Sequence, residues 1–188
     1  YEGERRNMSS KITMRMQNED KLNILFLMKV FEVGGQEVVT ATLADTFIKK
    51  GHQVVIASFK QPNDMMVKRT NPAVRFYTIG DFKYSKENVD VVRSILQENH
   101  ITVVINQWGL PYVPCKVLNE AKEGMAIKTT AIYHNSPDTN ARIKDVEIAL
   151  VNTHNPIKKA ILRIKMFAFK LITSKSMKYV YEHTDLYM

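Results

Sequence analysis

The sequence predicts an α/β fold: a doubly wound, mostly parallel sheet covered by helices on both faces. Two observations carry this expectation. Short apolar runs recur along the chain, separated by helical repeats, in the order β-α-β-β-α-β-α-β-α. Several of these runs are continuously apolar rather than alternating, as expected of strands buried on both faces of a parallel sheet.

The elements follow in order. Residues 1–21 are polar, mixed in charge and without sustained periodicity, so they are expected to be a flexible leader to a domain spanning 22–188. "NILFLMKV" (23–30) is short and continuously apolar, which reads as the first buried strand. From Gln36 to Lys50, Val39, Leu43 and Phe47 recur at helical spacing, and Gly51 provides the stop. "VVIASF" (54–59) is the second strand. Residues 60–72 are rich in Pro and Asn and read as a loop with at most one short turn. "AVRFYTIG" (73–80) alternates like a third strand. Residues 85–100 form a helix with Ser85 as its cap and Val89, Val92, Ile95 and Leu96 on one face. "ITVVIN" (101–106) is the fourth strand, a helix follows over 115–123, and 128–136 contains the fifth strand. Helical patterns then cover 139–150 and 156–182, and "TDLYM" has the character of a strand beginning.

Composition limits the function classes. The 188 residues suffice for one sizeable domain, and 45% hydrophobic with 24% charged residues is ordinary for a globular chain. A formal net charge of +8 points to an anionic partner: nucleic acid, a phosphate-bearing ligand or an acidic membrane surface. The single cysteine, Cys115, excludes an internal disulfide, and no Cys/His spacing suggests zinc. No D-x-D carboxylate pair is present, so no metal site is expected. No apolar run approaches the roughly 20 residues that span a bilayer, and the N-terminus lacks a signal-peptide core. The expected location is cytoplasmic, with peripheral attachment at the inner face of a membrane as a further expectation.

In doubly wound folds ligands meet the carboxyl ends of the strands, which directs attention to residues 31–37, 60–72, 107–112 and 134–140. In "FEVGGQE" (31–37), Gly34 and Gly35 lie between the first strand and first helix. Glycine permits positive φ and close approach of another group, and the helix N-terminus beyond suits a phosphate or sugar hydroxyl. A plain tight turn is the other reading. His134, with Asn135, Ser136 and Asp138, follows the fifth strand; it is either a base or hydroxyl-positioning group or an ordinary loop histidine. Trp108 and Tyr112 have faces on which a sugar ring can stack, or they pack the loop beneath them. The segment 157–179 carries seven basic residues and no acidic one, with Lys159, Arg163, Lys170 and Lys178 in one arc and apolar residues on nearly every side. Such a helix suits an anionic leaflet or a neighbouring domain. No helix-turn-helix, zinc-finger or RNP pattern accompanies the basic residues, so no nucleic-acid partner is expected.

Together, the run from "NILFLMKVFEVGGQE" through "KKGHQVVIASF", with Gly34-Gly35 and Lys50-Gly51-His52 at its landmarks, resembles the opening of family 4 glycosyltransferases of the GT-B type. "VVINQWG" and "TAIYHNSPD" fall where that family has its fourth- and fifth-strand loops. The resemblance implies a Rossmann-like N-terminal domain, one half of a GT-B fold. A missing C-terminal domain would bind the nucleotide-sugar, without which the chain would be inactive. It implies that Gly34 and Gly35 line the donor phosphate or sugar side of a cleft and that His134 is the active-site histidine. Gln107, Trp108 and Asn135 would face a sugar or lipid-linked acceptor, although the family's frequent strand-four histidine is replaced here by Asn106-Gln107-Trp108. No separate cofactor is implied; a nucleoside diphosphate sugar is the donor substrate, and the pathway would be surface polysaccharide or glycolipid synthesis. Lys159, Arg163 and Lys170 would face the membrane. Two other classes stay open: another Rossmann-like nucleotide-binding enzyme, against which the absent G-x-G-x-x-G and P-loop patterns speak, and a non-catalytic basic module binding a membrane surface or nucleic acid.

Overall fold

Six parallel strands form one sheet in a computed structural model of the chain, which describes residues 21–109, 111–133 and 141–188. They are β1 Asn23–Met28, β2 Gln53–Ser58, β3 Arg75–Thr78, β4 Val103–Asn106, β5 Lys128–Ala131 and β6 Leu186–Tyr187, in the order β3-β2-β1-β4-β5-β6. The expectation of a mostly parallel sheet sharpens: every described neighbouring pair is parallel. The chain runs outward from β1 to β3, then returns to place β4 against the other side of β1, with Leu25 beside both Val55 and Val104. This reversal between β1 and β4 is the topological switch point at which ligands of such sheets bind.

The helices are α1 Gly35–Lys49, α2 Asp64–Arg69, α3 Lys86–Glu98, α4 Tyr112–Ala121, α5 Ala141–Asn152 and α6 Pro156–Glu182. Because successive strand residues point to opposite faces, β1 feeds two cores. Leu25 and Leu27, with Val55 and Val104, pack against Val92 and Leu96 of α3 and Val117 and Leu118 of α4. Ile24, Phe26 and Met28, with Val54 and Ile56, pack against Ala44 of α1 and Met66 of α2. Each fully buried side chain of this size stabilises the fold by about 1.5–3 kcal/mol relative to exposure. Both faces of the sheet are therefore apolar, which explains the continuous rather than alternating runs.

Local signals set the element ends. The Ser85 hydroxyl accepts the Asn88 N–H at 3.3 Å, capping α3 as expected. Gly51 takes φ +88° after α1, while its N–H bonds the Ile48 carbonyl and the His52 N–H bonds the Phe47 carbonyl. That pair of bonds is a Schellman ending, which favours glycine at this position. His52 Nδ1 then accepts the Leu22 N–H at 3.2 Å. "KKGH" is thus a structural signature at the amino edge of the sheet, away from the switch point.

Two boundaries depart from the sequence reading. Residues 64–69 form a helix rather than a loop, because the Asn63 side chain accepts from the Met65 and Met66 N–H groups and Met66 is buried beneath. The helix expected from 115 starts at Tyr112; Pro114 sits in its first turn, where no intrahelical N–H bond is required. At the far edge, Asp185 accepts the N–H and hydroxyl of Thr129 at 2.8 and 2.9 Å, fastening β6 to β5. Those two bonds, with Lys128 nearby, hold the Asp185 carboxyl below its ordinary pKa.

Candidate functional site

The switch point brings together the β1–α1 turn and the segment after β4. Gly34 is the N-cap of α1 with an extended backbone (φ −163°, ψ 170°), and neither it nor Gly35 uses positive φ. The conformational reason for glycine is therefore absent, and a steric one takes its place. A methyl group on Gly34 would collide with the Glu37 carboxylate, whereas one on Gly35 would meet nothing within 4 Å. Glu37 is the third residue of α1 and only 7% exposed. Its side chain folds back over the helix start towards Gly34. Gly34 makes room for this carboxylate, and Gly35 leaves open space at the strand edge.

The second residue of α1 reaches across the switch point: Gln36 Nε2 donates to the Gln107 carbonyl at 2.6 Å. The segment after β4 is held on three further sides. The Gln107 N–H donates to the Leu27 carbonyl at 3.0 Å, the Asn106 side-chain oxygen accepts the Trp108 N–H at 3.0 Å, and the Gly109 N–H donates to the Ile132 carbonyl at 2.9 Å. A Cβ on Gly109 would lie 2.8 Å from that carbonyl oxygen and 2.9 Å from its carbon. Gly109 is thus required by close backbone approach. It escaped the sequence reading because its contact, Ile132, is far along the chain; its adjacency to Trp108 at a strand end was the available signal.

The structure places the other expected site residues unevenly. Gln107 as a whole is buried at 2% exposure, with its backbone N–H and carbonyl bonded to Leu27 and Gln36. Trp108 is half-buried, with its ring edge-on to Phe82 at 6.2 Å and the Lys29 ammonium 5.0 Å from its centroid. The same ammonium lies 5.1 Å from the Phe82 centroid. Trp108 thus rests against Phe82 of the segment after β3 and helps seat Lys29, a cation just past β1. The indole Nε1 is buried and has no hydrogen-bond partner among the described residues. Tyr112 belongs to another contact, edge-on to Tyr179 of α6 at 5.6 Å. His134 and Asn135 lie outside the described residues. Arg163 and Lys170 are exposed on α6, whereas Lys159 is half-buried towards the domain. Among the described residues no group of three or more His, Cys, Asp or Glu side chains could hold a metal, and no helix is long and apolar enough to cross a membrane.

Comparisons with known proteins bear on this geometry. No curated protein sequence matches the chain. Among solved structures, a wide-type short-chain dehydrogenase/reductase from Veillonella parvula DSM 2008 in complex with NADP aligns at 9% identity with a TM-score of 0.49, covering 88% of this chain and 66% of that one. The model of Glycosyltransferase Family 4 matches residues 33–178. That span begins just before the glycine pair, contains α1 and the segment after β4, and runs almost to the end of α6. The chain belongs to glycosyltransferase family 4.

Proposed function

We propose that this domain forms the acceptor-side wall of a cleft in which a sugar is moved from a nucleoside diphosphate sugar to an acceptor hydroxyl. In that reaction the bond from the anomeric carbon to the diphosphate breaks, and a bond to the acceptor oxygen forms. The acceptor's proton is released and the nucleoside diphosphate leaves; retention at the anomeric carbon is the expected outcome. The observation that supports the reading most directly is the open side of Gly35 at the N-terminus of α1, on a switch point whose loops are tied by the Gln36–Gln107 bond. Rigid loops there allow a substrate group to approach the backbone without reorganisation.

The electrostatics divide the cleft edge. The Glu37 carboxylate at the start of α1 repels a diphosphate but accepts hydrogen bonds well, so this helix end suits a sugar hydroxyl better than a phosphate. The Lys29 ammonium, cradled by two rings, is the described cation nearest the end of β1 suited to the leaving diphosphate. His134 is assigned the active-site role by its match to the family pattern, with Asn135 beside it on the acceptor side. A lipid-linked or polysaccharide acceptor fits the basic surface of α6.

Incubation of the complete protein with a panel of nucleoside diphosphate sugars, with released nucleotide and glycosylated product both measured, tests the reading. Gly35→Leu is expected to reduce transfer strongly while leaving the melting temperature near that of the native chain. Transfer unaffected by filling that space would overturn the cleft placement.

A further inference from the structure

The long helix α6 presents two apolar faces, and the domain covers one of them. Leu162, Met166, Phe169, Thr173, Ser176 and Val180 follow helical spacing and are half-buried or buried, facing α5 and α4. On the opposite side, Ile157, Ile161, Ile164, Phe167, Leu171 and Ile172 are between 46% and 71% exposed. At 100° per residue these six fall within an arc of about 140° centred away from the packed face. Val151, at the end of α5 just before the turn into α6, is also 80% exposed.

Basic residues border this stripe on both sides. Lys158 and Lys165 fall along one margin, and Arg163 and Lys170 along the other, all exposed. No acidic residue occurs from 157 to 179. We infer that this stripe lies in the plane of an anionic phospholipid surface, with its isoleucines and Phe167 below the headgroups and its four bordering cations at phosphate level. Long basic side chains reach upward from such a position while their stems stay in apolar surroundings. The charge distribution selects this occupant. A second copy of the chain would bring two wholly basic margins together, whereas an anionic surface complements both at once. On this inference the contact differs from the one expected from sequence: it includes the exposed Arg163 and Lys170 and leaves out the half-buried Lys159. The inference does not depend on the transfer reaction.

The test uses the full chain and sedimentation with phosphatidylcholine vesicles, with and without phosphatidylglycerol. Binding is expected to require the anionic lipid. The triple change Arg163→Glu, Lys165→Glu, Lys170→Glu is expected to weaken it by about 100-fold or more, since each basic residue near such a surface contributes about fivefold. A separate Phe167→Trp variant is expected to show blue-shifted emission on binding. It remains informative even if the charge-reversed chain fails to fold. Absence of binding by the native chain would overturn the inference. So would binding that leaves the Phe167→Trp emission unmoved, or a lipid-independent dimer that shields Phe167→Trp from an aqueous quencher.

Discussion

At the end of β4, Gln107 and Gly109 are buried and held by backbone bonds to β1 and to the segment after β5, with a side-chain bond from α1. Along α6, by contrast, Ile157, Ile164 and Phe167 each leave about 70% of their surface uncovered. Both regions depart from the expectation for an ordinary surface, in opposite ways. The switch point uses small residues and hydrogen bonds to keep a polar edge rigid and partly open. Helix α6 keeps large apolar residues that its own domain does not cover. Rigidity marks a place where a small group must be positioned. Uncovered apolar area marks a place where a larger surface arrives.

Several changes would break or sharpen that contrast. The largest effect is expected at the residue proposed for catalysis: His134→Ala in the complete protein should lower kcat by about 100-fold or more, within the range for a general acid or base. A native rate in a steady-state assay would remove His134 from the site.

Gly109→Ala comes next. Its methyl group has backbone, not a flexible side chain, in its way at 2.8 Å, so about 2 kcal/mol of stability should be lost in urea unfolding. An unchanged midpoint would mean that the segment after β4 is less tightly held than the bonds indicate.

The glycine pair should split. Gly34→Ala is expected to cost about 1 kcal/mol, recovered when Glu37→Ala is added, because the clash is with that carboxylate. Gly35→Ala, in the first turn of α1 with open space around it, should be neutral or slightly stabilising. Equal losses from the two single changes would contradict the division of roles.

At the sheet edge, Asp185→Asn should cost about 1 kcal/mol near neutral pH, the modest value reflecting a partly exposed, screened carboxylate. Because the folded pKa is lowered, this stabilisation is present above the ordinary carboxylate pKa and is lost as pH falls through the folded value. The difference between the native chain and the Asp185→Asn variant should therefore shrink in acid, as followed by thermal melts. A difference constant with pH would assign the effect to packing instead. The smallest stability change is expected on α6: Ile164→Ser should stay within about 0.5 kcal/mol of the native chain, since the domain does not cover that residue. A large loss would show that the stripe has a partner within the fold.

The order of elements apart from α2, the apolar strands, the Ser85 cap and the Gly51 stop were legible from sequence, because each depends on neighbours within a few residues. So was the position of the glycine pair between β1 and α1. Other features required contacts distant along the chain. Gly109 is explained by Ile132, Trp108 by Phe82 and Lys29, and the burial of Gln107 by the sheet around it. Even within "GGQE", the two glycines differ only once the Glu37 side chain has folded back over one of them. The basic character of α6 was plain in the sequence, but apolar residues on nearly every side of a helix do not reveal which stripe the domain will cover. Periodicity is a property of the local chain and determines the elements. Which face is buried, and which space stays open, is decided when elements distant in sequence compete for the same surface.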